Sequence, residues 1–317
     1  MKQKTPTIFV MMPAYRDPVL LDTLREIFQK ADNPDCVFVA IGAQYDEDIP
    51  MPDLSEFNPK NLRVLSIHPD GRPGVYRLRH LLNKLYANED YYLSIDSHTE
   101  LEQSWDTKLI AILEAQPEYK CILTSSERPP SKEAYTDLRM SVSYEKLGDH
   151  PEECTRIVMR DFDEKPLYTE NGYQKYPEVS YLQAGLFFTR GQFAREIRWG
   201  QFWQNEQEEP FLSYETFMLG WTKRLLTSEQ IIKHVPEKYY EAVYKEIPET
   251  PHRKFNDMWK SQSDYLPYVT PRVWNVYMYN TGPFKIEKAV KTPAEWWASI
   301  GLWGEYCKHL HHSGEIF

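Results

Sequence analysis

The first half of the chain alternates between short apolar runs and segments with helical spacing, and this alternation restricts the possible folds more than any other feature. The apolar runs predict buried strands over 8–13, 36–44, 62–68, 91–96 and 121–126. Between them, apolar side chains recur every three or four positions and predict helices over 19–31, 75–87 and 104–116. Strands that alternate with helices favour an α/β fold, with a mostly parallel sheet and helices on both faces.

The middle of the chain is less regular. Residues 129–177 are polar and contain charges and prolines, which indicates an insertion or a mobile flap. Regular patterns return as a predicted strand over 181–191, a helix over 210–226 and a strand over 230–235.

Charge and aromatic residues are distributed unevenly along the chain. The 37 basic and 47 acidic side chains give a net charge of −10, yet residues 239–317 carry nine of each and 16 aromatic residues. We therefore expect a main α/β domain over 1–238 and an aromatic-rich extension over 239–317 that packs on it and shapes an acceptor site. The acidic balance disfavours a surface that binds nucleic acid through bulk charge.

Three features of the sequence bear on its location. The four cysteines form no CxxC pair, no apolar run reaches 18 residues, and the apolar run near the N-terminus is too short for a signal peptide. The sequence therefore predicts a cytoplasmic protein with free thiols and no membrane contact.

Ligands of open α/β sheets bind beyond the carboxyl ends of the strands. That rule selects the segments that follow the first four predicted strands, namely 13–18, the region of Gln44, 71–79 and 96–98. If the sheet is as predicted, all four segments face one crevice.

Asp96, Ser97 and His98 form the sharpest of these segments. A carboxylate and an imidazole two residues apart at a strand end can point to one side and suit a divalent cation such as Mn²⁺, which would bridge a diphosphate leaving group. Alternatively, Asp96 caps the next turn and His98 is an ordinary surface residue. His234 follows a later strand and is either a further metal ligand or structural.

Other candidate positions also have two interpretations each. The loop 71–74 precedes a helix with two arginines, which suits phosphate, although a turn before a solvated basic helix fits equally well. Glu208 and Glu209 precede a helix, where they either stabilise its dipole or face a bound sugar. Gly185 either lets a ligand approach the backbone or marks a bulge.

Several stretches, taken in order, resemble a known family. They are IFVMMPAYRDPVLLDTLREIFQKADNP, IGAQYDED, GVYRLRHLLNKLYANEDYYLSIDSHTELEQSWDTKLI, QAGLFFTRGQFAREI, the QEE of 207–209, Gly220-Trp221 and the KHV that ends at Val235. Over 7–126 and 181–236 the chain resembles the cytoplasmic GlcNAc transferases that modify hydroxyproline or threonine in polypeptides. Gln207, Glu215 and Tyr76 depart from that family, which usually has Gly, Arg and Ala there.

The resemblance implies a GT-A-like (Rossmann-like) catalytic domain over 1–238, a UDP-sugar donor and a divalent metal, Mn²⁺ or else Mg²⁺. It would place the nucleotide base and ribose on Pro13, Ala14, Tyr15, Arg16, Asp17 and Gln44. The diphosphate would contact Arg77 and Arg79, and the metal would be held by Asp96, His98 and His234. The sugar or acceptor site would contain Gln183, Ala184, Gly185 and Trp221. The donor sugar would contact Glu208 and Glu209 near its reacting carbon.

The expected function is therefore metal-dependent transfer of a sugar such as GlcNAc, with retention, to a hydroxyl group of a macromolecule. The acceptor is either a protein hydroxyl, as the resemblance implies, or a hydroxymethylated DNA base, as for a phage-encoded enzyme acting in the host cytoplasm. A third alternative is an inactive relative that only binds a nucleotide or a glycan. The presence of both the Asp-Ser-His segment and the paired acids argues against that alternative.

Overall fold

The strands and helices are described here from a computed structural model. It describes residues 4–69, 74–125, 176–199, 208–226, 231–235, 279–281, 285–304 and 306–307, and the backbone of 139–146, 155–162, 168–169 and 172–173. Within these residues the strands are β1 Ile8–Tyr15, β2 Val37–Gln44, β3 Leu62–Ser66, β4 Tyr91–Ile95, β5 Thr99–Leu101, β6 Cys121–Thr124, β7 Arg139–Lys146, β8 Thr155–Phe162, β9 Tyr168–Thr169, β10 Gly172–Tyr173, β11 Glu178–Val179, β12 Leu186–Arg190, β13 Thr222–Leu225 and β14 Ile232–His234. The helices are α1 Leu20–Gln29, α2 Val75–Asn83, α3 Trp105–Glu114, α4 Gln192–Glu196, α5 Glu208–Met218 and α6 Pro293–Ser299.

A central sheet of eight strands organises the molecule, in the order β11-β13-β6-β12-β4-β1-β2-β3. Six of these strands run in one direction, whereas β11 and β12 run antiparallel to their neighbours. The mostly parallel α/β fold predicted from the sequence is therefore confirmed. Because β4 and β1 are parallel, their carboxyl ends lie at the same edge, and the segments that follow them meet there.

Alternate side chains of β1 enter two separate cores. Phe9 and Met11 pack with side chains of α2, α4, α5 and α6, whereas Ile8, Val10 and Met12 pack with α1 and α3. Helices therefore cover both faces of the sheet. A strand buried on both faces needs apolar residues at every position, which is why the sequence over β1 shows no polar alternation.

The predicted helix over 210–226 is wrong in its second half. Helix α5 begins at Glu208 and ends at Met218, and the next residues form β13, which pairs in parallel with β6. Gly220 has a φ of 78°, a left-handed conformation that commonly ends helices. The chain turns back there and adds a strand to the sheet, so contacts distant in sequence override the apolar periodicity.

Three smaller expectations also change. The strand predicted over 181–191 begins only at Leu186, and β5 was not predicted at all. Within the region predicted as an insertion or mobile flap, β7 and β8 form an antiparallel pair, and β9 pairs with β10. The remainder of that region, apart from residues 176 and 177, lies outside the described residues.

Helix α6 packs against α5 near the end of the described chain. Trp296 and Trp297 of α6 are fully buried, and the Trp296 ring meets Tyr214 of α5 edge-on, with 5.7 Å between ring centroids. Residues 236–278 lie outside the described part of the chain. In the part that is described, no helix combines the length and hydrophobicity needed to cross a membrane.

Lys223 of β13 is a buried lysine whose charge weakens the fold. Burial, reinforced by Lys291, lowers its pKa to about 7, although Glu178 acts in the opposite direction. Its Nζ donates to the Ser213 carbonyl at 3.2 Å and to the Thr216 hydroxyl at 3.3 Å. An unfolded chain would bind this proton up to a pH near 10.5, so between pH 7 and 10.5 the unfolded state holds more protons than the folded state.

We therefore expect the free energy of unfolding to rise with pH over this window because of Lys223. In Lys223→Met this contribution should vanish, so the wild type should gain about 2–3 kcal/mol relative to the variant between pH 7 and pH 9.5. Urea unfolding of both proteins at the two pH values measures the difference. Parallel pH dependences of the two proteins would contradict the assignment.

Candidate active site

Three side chains that could bind a metal meet at the carboxyl edge of the sheet. Among the described residues, Asp96, His98 and His234 form a group whose ligand atoms all lie within 4.8 Å of one another. Asp96 directly follows β4, and the His234 Nε2 lies 3.4 Å from the Asp96 Oδ2. One carboxylate oxygen and two imidazole nitrogens at this spacing fit the ligand set of a divalent cation.

A small ladder outside the main sheet places His234. Strand β14 pairs antiparallel with β5, with His234 opposite Thr99. The Val235 amide also donates to the His98 carbonyl at 2.9 Å. As a result the His98 and His234 rings lie 4.7 Å apart between centroids, although their positions in the sequence are far apart.

A buried arginine connects this cluster to the paired acids of α5. The Arg79 guanidinium donates to the Asp96 Oδ1 at 2.6 Å and to the Glu208 Oε1 at 2.5 Å. The side chains of Arg79 and Glu208 are 3% and 2% exposed. The planar guanidinium thus holds two carboxylates from different elements in one arrangement, which a single ammonium group could not match.

A second buried acid lies on the other side of the cluster. Asp17, 1% exposed, accepts hydrogen bonds through Oδ2 from the Ser97 hydroxyl and from the His98 Nδ1, the latter at 2.9 Å. Its Oδ1 accepts from the Val19 amide at 2.9 Å. Asp17 therefore contacts the two residues that follow Asp96.

The environment of the cluster favours an ionised Asp96. Burial by itself would raise the pKa of Asp96, but the Arg79 guanidinium, with smaller contributions from the neighbouring His98 and His234, outweighs burial and holds the pKa below its usual value. An ionised carboxylate is the form that binds a cation. In contrast, burial raises the pKa of Glu208 despite the neighbouring Arg79, and the charge of Asp96 adds to that effect.

The backbone of Gly185 borders the Asp96 carboxylate. A Cβ atom at position 185 would lie 2.7 Å from the Asp96 Cγ, well inside van der Waals contact. The group that approaches this glycine is therefore Asp96. Gln183 and Ala184 are buried beside it, where the Ala184 carbonyl accepts from the Ser94 hydroxyl at 2.6 Å.

The sequence matches the profile of the family described as Glycosyltransferase (GlcNAc) over residues 7–70 and 51–224, more than half of the chain. The chain belongs to this glycosyltransferase family. All eight strands of the central sheet except the last residue of β13 lie within the matched segments, whereas β14 with His234 lies beyond them. The search of curated proteins returns no significant match to the sequence.

Solved structures with a similar fold include other glycosyltransferases of the GT-A type. GalNAc-T7, crystallised with UDP, GalNAc and Mn²⁺, has a TM-score of 0.54 and 13% identity, over 72% of this chain and 43% of that chain. Residues 1–349 of S. aureus TarS have a TM-score of 0.46 and 13% identity, over 95% and 80% of the two chains. This glycosyltransferase thus spans less than half the length of GalNAc-T7, and the likeness to GalNAc-T7 alone identifies the GT-A fold.

The segments expected to hold the nucleotide lie side by side in the glycosyltransferase. Pro13, Ala14 and Tyr15 end β1 and pair in register with the end of β2, where Tyr15 is opposite Gln44. Arg16 adopts a φ of 46°, and its amide donates to the Gln44 carbonyl at 3.0 Å. Its guanidinium forms an ion pair with Asp46, which lies in the IGAQYDED stretch but was not expected among the site residues.

Not all expected site residues join this group. Trp221 is buried at the start of β13, beside the amino end of β6 and therefore at the opposite edge of the sheet from Asp96, where its indole donates to Glu196 at 3.0 Å. Arg77 is exposed on α2, whereas Arg79 is buried on the same helix. Loop residues 71–73 and Gln207 lie outside the described residues.

Gly185→Ala should displace the Asp96 carboxylate. Because the added methyl group would overlap Asp96 and the adjacent backbone is buried, we expect a loss of about 1–3 kcal/mol in the free energy of unfolding, together with weaker Mn²⁺ binding. Gly304→Ala is the matched control, since no atom lies within 4 Å of the added Cβ there. Thermal unfolding and Mn²⁺ titration of both variants measure the effects, and equal behaviour of the two would contradict this role of Gly185.

Proposed function

We propose that this glycosyltransferase is a metal-dependent enzyme that transfers a sugar from a UDP-sugar to a hydroxyl group of a macromolecule. The observation that carries the proposal is the cluster of Asp96, His98 and His234 at the carboxyl edge of the sheet, the edge where α/β sheets bind ligands. GalNAc-T7 was crystallised with UDP, GalNAc and Mn²⁺ and has a similar fold, which supports the choice of donor and cation.

The ligand set favours Mn²⁺ over Mg²⁺. Asp96 supplies oxygen, and His98 and His234 supply nitrogen, whereas Mg²⁺ prefers an all-oxygen shell. When bound, the cation would neutralise the negative charge that develops on the departing diphosphate.

The transfer joins the acceptor oxygen to the anomeric carbon and breaks the bond from that carbon to the diphosphate, which leaves with the electron pair. We propose retention, on the strength of the family resemblance: the acceptor approaches the face that the diphosphate leaves, and its proton passes to a phosphate oxygen. Glu208 forms an ion pair with Arg79, and we assign the partly buried Glu209 to the developing positive charge on the sugar.

For the sugar we propose GlcNAc, and for the acceptor a hydroxyproline or threonine hydroxyl of a cytoplasmic polypeptide. The description of the matched family supports GlcNAc. The net charge of −10 favours a protein over the polyanion DNA, whose binding rests mainly on phosphate contacts.

Incubation with UDP-GlcNAc, in Mn²⁺ or in EDTA, tests the proposal. One acceptor is a peptide that contains threonine and hydroxyproline, and the other is a DNA duplex that contains hydroxymethylcytosine. Mass spectrometry detects sugar added to either one. We expect Mn²⁺-dependent release of UDP and a mass gain in the peptide. A mass gain in the DNA would replace the proposed acceptor, and binding of the nucleotide without turnover of any UDP-sugar would indicate an inactive relative.

A further inference from the structure

We infer that Asp17 is a positioning residue that holds the His98 imidazole in the tautomer required for metal binding. The inference rests on the proposed metal site. It gives Asp17 a role different from the nucleotide contact that the sequence resemblance implied.

Two features fix the position of the Asp17 carboxylate. Its Oδ1 accepts from the Val19 amide at 2.9 Å, and its backbone carbonyl accepts from the Tyr45 hydroxyl at 2.8 Å. The other carboxylate oxygen then has a defined direction, toward the Ser97 hydroxyl and the His98 Nδ1. With 1% exposure, the Asp17 side chain itself is shielded from solvent.

A carboxylate that only accepts hydrogen bonds determines which nitrogen of the imidazole carries the proton. Because Asp17 lies 2.9 Å from the His98 Nδ1, that nitrogen must donate. The neutral ring then has its lone pair on Nε2, the nitrogen that would bind a cation. Metal-binding histidines are commonly oriented by a carboxylate in this way, and loss of that partner lowers metal affinity about 10- to 100-fold.

Asp17→Asn separates this role from simple packing. The asparagine keeps the shape, and its Oδ1 can still accept from the Val19 amide, but its amino group then faces His98. An amino group donates, so the His98 Nδ1 would have to accept, and the proton would move to Nε2. The variant thus retains the fold and places a proton on the metal-binding nitrogen.

Two controls isolate the effect. Ser97→Ala removes a neighbouring hydrogen bond to the same carboxylate oxygen and leaves the acceptor for His98 in place. Asp106→Asn alters a second aspartate that is 1% exposed; it accepts from the backbone amides of Asp32 and Asn33, remote from the metal cluster. Asp106→Asn therefore reproduces the cost of neutralising a buried, amide-bound carboxylate.

The test measures Mn²⁺ affinity by electron paramagnetic resonance of free Mn²⁺, and the His98 tautomer by long-range ¹⁵N–¹H correlation in metal-free protein at pH 8. We expect a proton on Nδ1 in the wild type and on Nε2 in Asp17→Asn, with affinity reduced about 10- to 100-fold, and both controls within about threefold of wild type. A proton on the His98 Nε2 of the wild-type protein would overturn the inference, and this measurement requires no variant. So would wild-type affinity in a folded Asp17→Asn. Absence of Mn²⁺ binding by the wild type would instead refute the proposed metal site.

Discussion

Replacing Asp96 with asparagine is expected to abolish cation binding and sugar transfer while leaving the fold intact. Asp96 is the one member of the cluster of three that carries a negative charge. Asparagine has the same shape but is neutral, so a cation would be left with two neutral imidazoles beside the positive Arg79. If the cation contributes about 4 kcal/mol to the transition state, the rate of transfer should fall on the order of 10³-fold.

Release of UDP from UDP-GlcNAc measures the rate, and Mn²⁺ titration measures the binding. Asp53→Asn is the control, because Asp53 is an exposed loop acid that hydrogen-bonds to Ser55. It should match the wild type in both assays. An Asp96→Asn protein that transfers sugar at the wild-type rate would refute the assignment of the metal site.

Removing the guanidinium of Arg79 is expected to be the most destabilising single change at the site. Arg79→Met would leave the Glu208 carboxylate buried without its ion-pair partner and would remove one hydrogen bond from Asp96. Loss of one partner of a buried ion pair costs about 3–5 kcal/mol, because the remaining charge is uncompensated. Urea unfolding at pH 7 measures the loss.

A second substitution tests whether uncompensated charge is the cause. In Arg79→Met with Glu208→Gln, the buried side chain at position 208 is an uncharged amide at every pH. About half or more of the lost stability should therefore return. Arg79→Lys should fail to restore wild-type stability, because one ammonium cannot engage both carboxylates in the observed geometry. A loss below about 1 kcal/mol in Arg79→Met would contradict this account.

The sheet could be predicted from the sequence because its central strands are buried on both faces. Such strands are uniformly apolar, as in Ile8–Tyr15, and the helices between them have a clear apolar stripe. Strand β13 was missed because Thr222–Leu225 follows α5 closely and continues its apolar spacing. Its pairing with β6 depends on residues about a hundred positions earlier, and no local sequence pattern indicates that contact.

The sequence predicted that Asp96, His98 and His234 lie near one another, and the structure brings their ligand atoms within 4.8 Å, but the contacts around them were not predicted. Asp96 and His98 are two residues apart at a strand end, which is a local signal. Arg79 was expected at the diphosphate, and the structure engages it with Asp96 and Glu208. The contacts of Arg79 with Asp96 and Glu208, and of Asp17 with His98, span 17 to 129 positions, so only the folded chain reveals them.

The ladder of β5 and β14 brings His234 beside Asp96 and His98, so the candidate metal site joins two distant parts of the chain. All eight strands of the central sheet are complete at Leu225, before His234 joins Asp96 and His98. A cation held by all three would link positions 96 and 234, and links that close long loops restrict the unfolded chain most. Detachment of β14 would open that loop and release the cation without disturbing the sheet. Metal exchange should therefore follow local opening of the ladder, visible as hydrogen exchange at the Val235 amide, and not global unfolding.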